Sequence, residues 1–300
     1  MKDLAIIIPA YKADYLRQAL DSLVRQTSKR FHVYICDDCS PYDLEAIVKE
    51  YEGKFPLSYH RFSDNLGSKD LVGQWKRSIE CSGNEKWIWL FSDDDILEEN
   101  CVASFYLSME QHPKAELFHF NLKILDEFEN GKISVVSPYP QRLKAGEYLE
   151  AKLRGKLISY VVEFVFSRDL YNRVGGFVNY DLAWGSDFMT WLYMASETEE
   201  GIVSIDYPQT CVIWRRSSQN ISPDRSRPIL LRKLKALIGN AAFIKTQLKS
   251  NPEKYYPLKY SFRWIRFPIG EIWRNRGVLT NRDLFGLILR YIKEVLCKYK

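Results

Sequence analysis

The chain has 300 residues, of which 46% are hydrophobic, 14% aromatic and 27% charged, a globular balance that excludes a disordered or fibrous chain and allows one large domain or two modest ones. The formal net charge of +5 hides an asymmetry: residues 225–300 carry 18 Lys and Arg against 4 Asp and Glu, and residues 1–224 carry 25 against 34. A basic tail behind an acidic body points to an anionic surface as partner.

The first hundred residues alternate short apolar runs with helical spacing. Residues 4–8 read as a β-branched strand that Pro9 stops. Residues 15–24 place Leu16, Ala19, Leu20 and Leu23 on one helical face. Strands are expected at 32–36, 58–62 and 86–91, with helices at 44–51 and 70–81 between them. This order predicts a parallel sheet covered on both faces, with every strand C-terminus on one edge, where ligands bind.

Beyond Asp95 the pattern changes. A helix is expected at 97–111, then strands at 116–125 and 132–137 joined by the hairpin signal Asn130-Gly131. A short helix at 147–153, a strand at 159–167, a helix at 185–196 and strands at 202–205 and 210–215 follow. The expected main domain is 1–222, with 223–300 a basic, aromatic-rich helical region.

No uncharged run approaches the roughly 20 residues of a membrane-spanning helix. The apolar run 4–9 is too short for a signal-peptide core, so a cytoplasmic location is expected. The six cysteines share no repeated spacing, and the C-x-x-C of Cys36 and Cys39 flanks Asp37-Asp38 without a second ligand pair. Free thiols are the expectation.

Carboxylates gather where strands are expected to end. Asp37-Asp38 follow the second strand and Asp93-Asp94-Asp95 the fourth. Five acids on one edge repel unless cations or hydrogen bonds answer them. Mg²⁺ or Mn²⁺ with a phosphate-bearing ligand does so, because Mg²⁺ takes one or two carboxylates and fills its other positions with phosphate oxygens and water.

Seven short motifs lie in order over residues 2–222: Ile6-Ile7-Ile8-Pro9-Ala10-Tyr11, the 20–27 helix, Cys36-Asp37-Asp38-Cys39-Ser40, Asn65-Leu66-Gly67, Phe91-Ser92-Asp93-Asp94-Asp95, Val174-Gly175-Gly176-Phe177 and Gly185-Ser186-Asp187-Phe188. Together they resemble the family 2 glycosyltransferases. The resemblance implies an α/β GT-A fold: a Rossmann-like, mostly parallel central sheet covered by helices, here with a C-terminal helical appendage. It also implies an inverting transfer from a nucleoside-diphosphate sugar to a hydroxyl of a glycan or of a lipid-linked (polyprenyl-linked) oligosaccharide, as in surface polysaccharide synthesis.

By the same resemblance, Pro9, Tyr11 and Asp38 line the nucleoside pocket, and Asn65 and Lys69 reach the donor. Retention of Asp38 favours a UDP-sugar, with thymidine and guanosine donors left open. The acidic motif has two registers. Asp95 closes both as a ligand of Mn²⁺ or Mg²⁺; Asp93 is its partner in one and Asp94 in the other. Asp187 is the candidate catalytic base, and Ser186 before it is placed to cap the helix. Arg215, directly after the last strand, is the candidate diphosphate ligand, and Trp184 the candidate acceptor contact. Trp191 is expected in the core. Ser92 and Ser186 stand where carboxylates are usual in the family, which keeps a non-catalytic nucleotide- or glycan-binding protein of the same fold as the alternative.

In the tail, Tyr255, Tyr256, Tyr260, Phe262, Trp264, Phe267 and Trp273 alternate with Lys259, Arg263, Arg266, Arg274 and Arg276, and residues 284–296 are amphipathic. Two readings stay open: an interfacial helix on an anionic membrane surface, peripheral to the inner face of the plasma membrane, or an appendage packed on the main domain. Nucleic acid is not expected, because it leaves the acidic clusters unexplained.

Overall fold

Aliphatic and aromatic runs build the centre of the molecule. The computed structural model describes residues 3–255 and 263–297. In its first third, β1 (Leu4–Ala10), α1 (Leu16–Val24), β2 (Phe31–Asp37), α2 (Leu44–Lys49), β3 (Leu57–Arg61), α3 (Leu71–Glu80) and β4 (Trp87–Leu90) alternate as expected. Then come β5 (Ile96–Leu97), α4 (Cys101–Gln111), β6 (Leu117–Phe120), β7 (Leu122–Asp126), β8 (Lys132–Val135), β9 (Arg142–Leu143), α5 (Ala145–Leu153) and β10 (Phe164–Ser167). They are followed by α6 (Arg168–Arg173), α7 (Ser186–Ser196), β11 (Ile202–Ile205), β12 (Val212–Arg216), α8 (Arg227–Ser250), α9 (Arg263–Arg274) and α10 (Asn281–Tyr291).

Eight strands form the main sheet in the order β3-β2-β1-β4-β10-β6-β11-β9, and β5-β12-β7-β8 form a second, smaller one. Pairs β1–β2, β1–β4, β2–β3 and β6–β11 are parallel; β10 and β9 run antiparallel to their neighbours. The mostly parallel α/β sheet of the GT-A class is thus present. β1 is buried on both faces. Leu4, Ile6 and Ile8 face a core shared with α1, α2 and α4, and Ala5 and Ile7 face one shared with α3, α5 and α7. This alternation follows from the two-residue period of a strand.

Several expected boundaries move, for identifiable reasons. Pro9 does not stop β1. Its missing N–H falls beyond the last β1–β4 pair, Ile7 with Leu90, so no ladder bond on that side is lost. The 97–111 helix starts only at Cys101, because Ile96 and Leu97 pair with β12. The 116–125 strand breaks at Asn121, whose carbonyl accepts from Val212 N, and its halves join different sheets. Only the end of the 159–167 segment is strand. Asn130 (φ 56°) and Gly131 (φ 74°) form the expected turn between β7 and β8.

Packing continues across residues 222 and 223. Ile244 of α8 is buried in the core beside α7, and the Tyr180 hydroxyl donates to the Gly239 carbonyl at 3.2 Å. Leu230, Leu234 and Ile238 of α8 then receive Ile272 of α9 and Leu287 and Tyr291 of α10. The packed-appendage reading therefore holds for one face of these helices. Tyr256, Lys259, Tyr260 and Phe262 lie outside the described residues.

Because Ile244 is 2% exposed, Ile244→Ala is expected to destabilise the chain by about 2–5 kcal/mol. Urea unfolding followed by circular dichroism should show one transition moved to lower denaturant; two separated transitions would mean that α8 folds apart from the main sheet.

Candidate active site

The C-terminal ends of β1, β2 and β4 open into a cleft of about 770 Å³. Its walls include Pro9, Tyr11, Asp38, Asn65, Asp93 and Asp94 on the sheet side, and Trp184 and Asp187 opposite. Sequence-distant acids therefore share one cavity. Lys69 is exposed and Arg215 is buried, and neither belongs to the lining.

The acid triplet is answered by donors from three chain segments. Asp93 accepts the backbone N–H groups of Tyr11 and Lys12, both at 2.8 Å. The Lys12 ammonium pairs with Asp94 and lies 3.7 Å from Asp93. Asp95 accepts from Arg215 N at 2.8 Å, while its Oδ2 is buried without a hydrogen-bond partner. Burial raises the pKa of Asp93 and raises that of Asp95 further, with Asp94 adding like-charge repulsion to both. Burial opposes protonation of Lys12, but Asp93 and Asp94 outweigh it and its pKa is raised.

Arg215 does not reach the cavity, contrary to its expected role as a diphosphate ligand. Its Nε donates to the Asp94 carbonyl at 2.8 Å, its Nη1 to Glu127 at 2.7 Å and its Nη2 to Gln18 at 2.5 Å. All three guanidinium nitrogens are committed within the protein, one to the acid loop and the others to the turn after β7 and to α1. The following loop supplies the polar wall instead, through Gln219, Asn220 and Ser222.

Asp38 receives Leu66 N at 2.9 Å, Gly67 N at 2.8 Å and the Arg77 guanidinium. These contacts explain the Asn65-Leu66-Gly67 motif. A Cβ on Gly67 would stand 2.7 Å from Asp38 Oδ2, so only glycine permits this approach. Asp37 points away from the cavity, accepting from Ser40 N, the Tyr59 hydroxyl and Arg61.

Asp187 lies in the first turn of α7, where the helix dipole favours an anion. Burial raises its pKa, and Lys152 opposes that rise. Glu163, pushed up to about 8 by burial, is largely neutral at pH 7. Ser186 does not cap α7. Gly185 is the N-cap, and the Ser186 hydroxyl accepts from Tyr180 N at 3.0 Å. Gly176 (φ 87°), in the Gly175-Gly176 turn, sits against the Tyr171 ring and delivers Phe177 to an edge-on contact with Trp191, which is fully buried as expected.

Four contributors have no motif. Lys12 and Lys152 look like ordinary surface lysines in sequence. Tyr160 stacks on Trp214 at 3.9 Å in the cleft wall, although the two lie in segments far apart in the chain. α8 closes the far side with Leu237 and Asn240. Its Lys233 donates to the carbonyls of Ile221 (2.7 Å), Ser222 (3.1 Å) and Asp224 (2.7 Å) and lies over the Trp184 ring. In the sequence, the α8 residues stood out only as part of the basic helical region expected over 223–300.

Gly185 (φ 80°) lies so close to α8 that a Cβ would come within 2.0 Å of Asn240 Nδ2. Gly185→Ala should cost about 1–3 kcal/mol in backbone strain alone. In denaturant titrations, adding Asn240→Ala should recover part of the loss; no recovery would mean that the two residues are uncoupled.

The glycosyl transferase family 2 model matches residues 5–175. An uncharacterized glycosyltransferase of Haemophilus influenzae is 26% identical over 225 residues, 74% of this chain and 71% of that protein. Protein CgeD of Bacillus subtilis is 21% identical over 43% of the chain and 31% of its own length. Among solved structures, S. aureus TarS 1-349 in complex with UDP-GlcNAc superposes with a TM-score of 0.59 at 15% identity, covering 98% of this chain and 89% of that one. The chain spans 54% of the longer TarS structure. Mannosyltransferase PcManGT from Pyrobaculum calidifontis, in complex with GDP-Man and Mn²⁺, gives 0.57 at 14% identity, covering 99% and 81%. At these identities the structural likenesses speak for the GT-A fold. With more than half of its length matched, across the strands and turns that build the cleft, the chain belongs to glycosyl transferase family 2.

Proposed function

We propose that this family 2 enzyme is an inverting transferase that moves a sugar from a nucleoside-diphosphate sugar, UDP-linked by preference, to a hydroxyl of a glycan or polyprenyl-linked oligosaccharide at an anionic membrane surface, as in surface polysaccharide synthesis. The observation that carries the reading is the shared cleft of Asp94 and Asp187, with Pro9, Tyr11 and Asp38 on one wall.

A carboxylate offers about four lone-pair sites, and three at Asp38 are taken by Leu66, Gly67 and Arg77. The fourth is left for a ring N–H of the base, as uracil provides. Tyr11, 40% exposed at the cleft, supplies a face for the ring. Asn65 borders the same wall.

Asp187 takes the proton of the acceptor hydroxyl. The freed oxygen attacks the anomeric carbon from the face opposite the diphosphate, the bond to the diphosphate oxygen breaks, and the configuration inverts. Lys152 favours the ionised form of Asp187, and Lys12 places an ammonium beside the acid triplet, where the charge of the leaving diphosphate would lie. Trp184, Tyr160 and Trp214 offer aromatic faces to the acceptor sugar.

A hard divalent cation needs only one or two carboxylates besides phosphate and water. The Asp94 carboxylate borders the cavity and fits such an ion; Asp95, expected to close the ligand set, is buried outside the lining, and its unpartnered Oδ2 is the second candidate. Among the described residues no group of three or more His, Cys, Asp or Glu could hold a metal by itself. Mn²⁺ or Mg²⁺ bound there would neutralise the charge that builds on the departing nucleotide.

Asp187→Asn should lower transfer by about 10²–10⁴-fold with UDP binding unchanged. No transfer by the wild type from any nucleotide sugar would favour a binding protein of the same fold. The base must be ionised to act, and burial raises its pKa. Activity should therefore fall with decreasing pH along a limb above the ordinary carboxylate range. Lys152→Met should move that limb to higher pH, because the lysine's charge holds the carboxyl down; a limb that stays in place would remove Asp187 as the titrating group.

Asp94→Asn should weaken Mn²⁺-dependent UDP binding at least about ten-fold. Thermal shift against a panel of nucleotides with and without Mn²⁺ reads both the metal requirement and the base preference. Equal shifts with and without metal would overturn the proposed cation.

A further inference from the structure

α10 carries two apolar stripes. Leu287 and Tyr291, continued by Val295 in the π-helical turn Ile292–Leu296, pack with α8. The second stripe is Phe285, Ile288, Leu289, Ile292 and Leu296, exposed by 64, 44, 50, 40 and 51%. Its spacing of i, i+3, i+4, i+7 and i+11 makes it one continuous line on the helix surface. A contiguous exposed apolar line of this kind marks an interaction site. No helix among the described residues is long and apolar enough to cross a membrane, so the line is suited to lying along a surface.

Charge selects the partner. At 100° per residue, Arg282 and Lys293 fall along one border of the stripe, next to Leu289, while Arg290 lies farther round the helix and pairs with Glu294 at 2.7 Å. At the end of α9, Trp273 is 67% exposed, with the Arg276 guanidinium 4.7 Å from its ring centroid. Residues 263–297 carry seven Arg and Lys against three Asp and Glu. A second copy of the chain would bring like charges together. An anionic bilayer complements them, receives the apolar line at acyl depth and accommodates an indole at its interface.

We infer that the exposed stripe of α10, bordered by Arg282 and Lys293, inserts into the headgroup region of an anionic lipid bilayer. This deepens the reading of a membrane-bound acceptor by naming the face that docks. α9, which packs with α10 on α8, reaches the cleft wall through Phe267, so docking brings the cleft to the membrane that holds the acceptor.

The test is flotation of the full-length chain with vesicles of phosphatidylglycerol in phosphatidylcholine, and with pure phosphatidylcholine. The wild type should float with the anionic vesicles and about ten-fold less with the neutral ones. The triple variant Phe285→Ser, Ile288→Ser, Leu289→Ser should lose flotation about ten-fold or more while keeping its melting temperature, since all three side chains are exposed. If that variant melts lower, the charge reversals Arg282→Glu and Lys293→Glu take its place and should lose flotation likewise. Equal flotation with neutral lipid, no flotation, or variants that float like the wild type would each overturn the inference. So would a wild-type dimer in sedimentation that the triple variant dissolves, because a second copy would then cover the stripe. Flotation is read without donor or acceptor. A chain that floats and transfers no sugar refutes the transfer reading alone; one that transfers and does not float refutes the docking alone.

Discussion

Three consecutive carboxylates, all less than 5% exposed, sit at the end of a central strand, and the rest of the site depends on how their charge is met. Desolvating one carboxylate is costly, and desolvating three side by side adds mutual repulsion. The chain meets this with donors from far apart in sequence: the backbone after β1, the Lys12 ammonium and the first N–H past Trp214. Each donor is useful only if its strand is in place. The contacts thus lock the β1 turn and the β12 end onto the β4 end, and the cleft floor forms as a consequence. Arg215 belongs to this constraint: the family resemblance suggested a ligand, but its Nε holds the Asp94 carbonyl and its other two nitrogens bind Glu127 and Gln18.

The opposite wall obeys a different logic. Asp187 is held by shape, through the left-handed Gly185 pressed against Asn240 of α8, and by the Ser186 hydroxyl tied to Tyr180 N. α8 also pins the 221–224 backbone through Lys233. One helix thereby fixes the candidate base, the loop over the cavity and the Trp184 face together. It also receives α9 and α10, which joins the chemistry mechanically to the surface those helices present.

What was legible in the sequence follows from range. The β-α alternation to residue 91 and the two acid clusters are local patterns, and strand ends mark the ligand edge whatever the details. Gly67 and Gly185 were visible as motif letters, but their reasons, an Asp38 oxygen and an Asn240 amide, come from distant parts of the chain. Lys12 and Lys152 carried no signal, because a lysine is unremarkable until burial places it beside a carboxylate. The break at Asn121 was hidden because both halves are apolar, and only the pairing partners β11 and β12 assign them to different sheets. Residues 284–296 were readable as amphipathic, but a periodicity cannot show that one helix carries two apolar stripes until one of them is seen packed.

Charge arithmetic ties the parts of the cleft together. Its walls present Asp38, Asp93, Asp94 and Asp187 against Lys12 and Lys152. Arg77 answers Asp38 from outside the lining, and the N–H groups of Tyr11 and Lys12 answer Asp93. What remains is close to balanced without a donor, since Lys12 faces Asp94 and Lys152 lies on the side of Asp187. A diphosphate entering that balance adds negative charge with no spare side-chain cation in the lining to meet it. In the proposed reaction a divalent ion carried in with the nucleotide would restore neutrality beside Asp94, and Lys152 would be left to hold Asp187 ionised. The two ends of the cleft can then carry opposite tasks, leaving-group stabilisation and proton removal, without sharing a counter-charge.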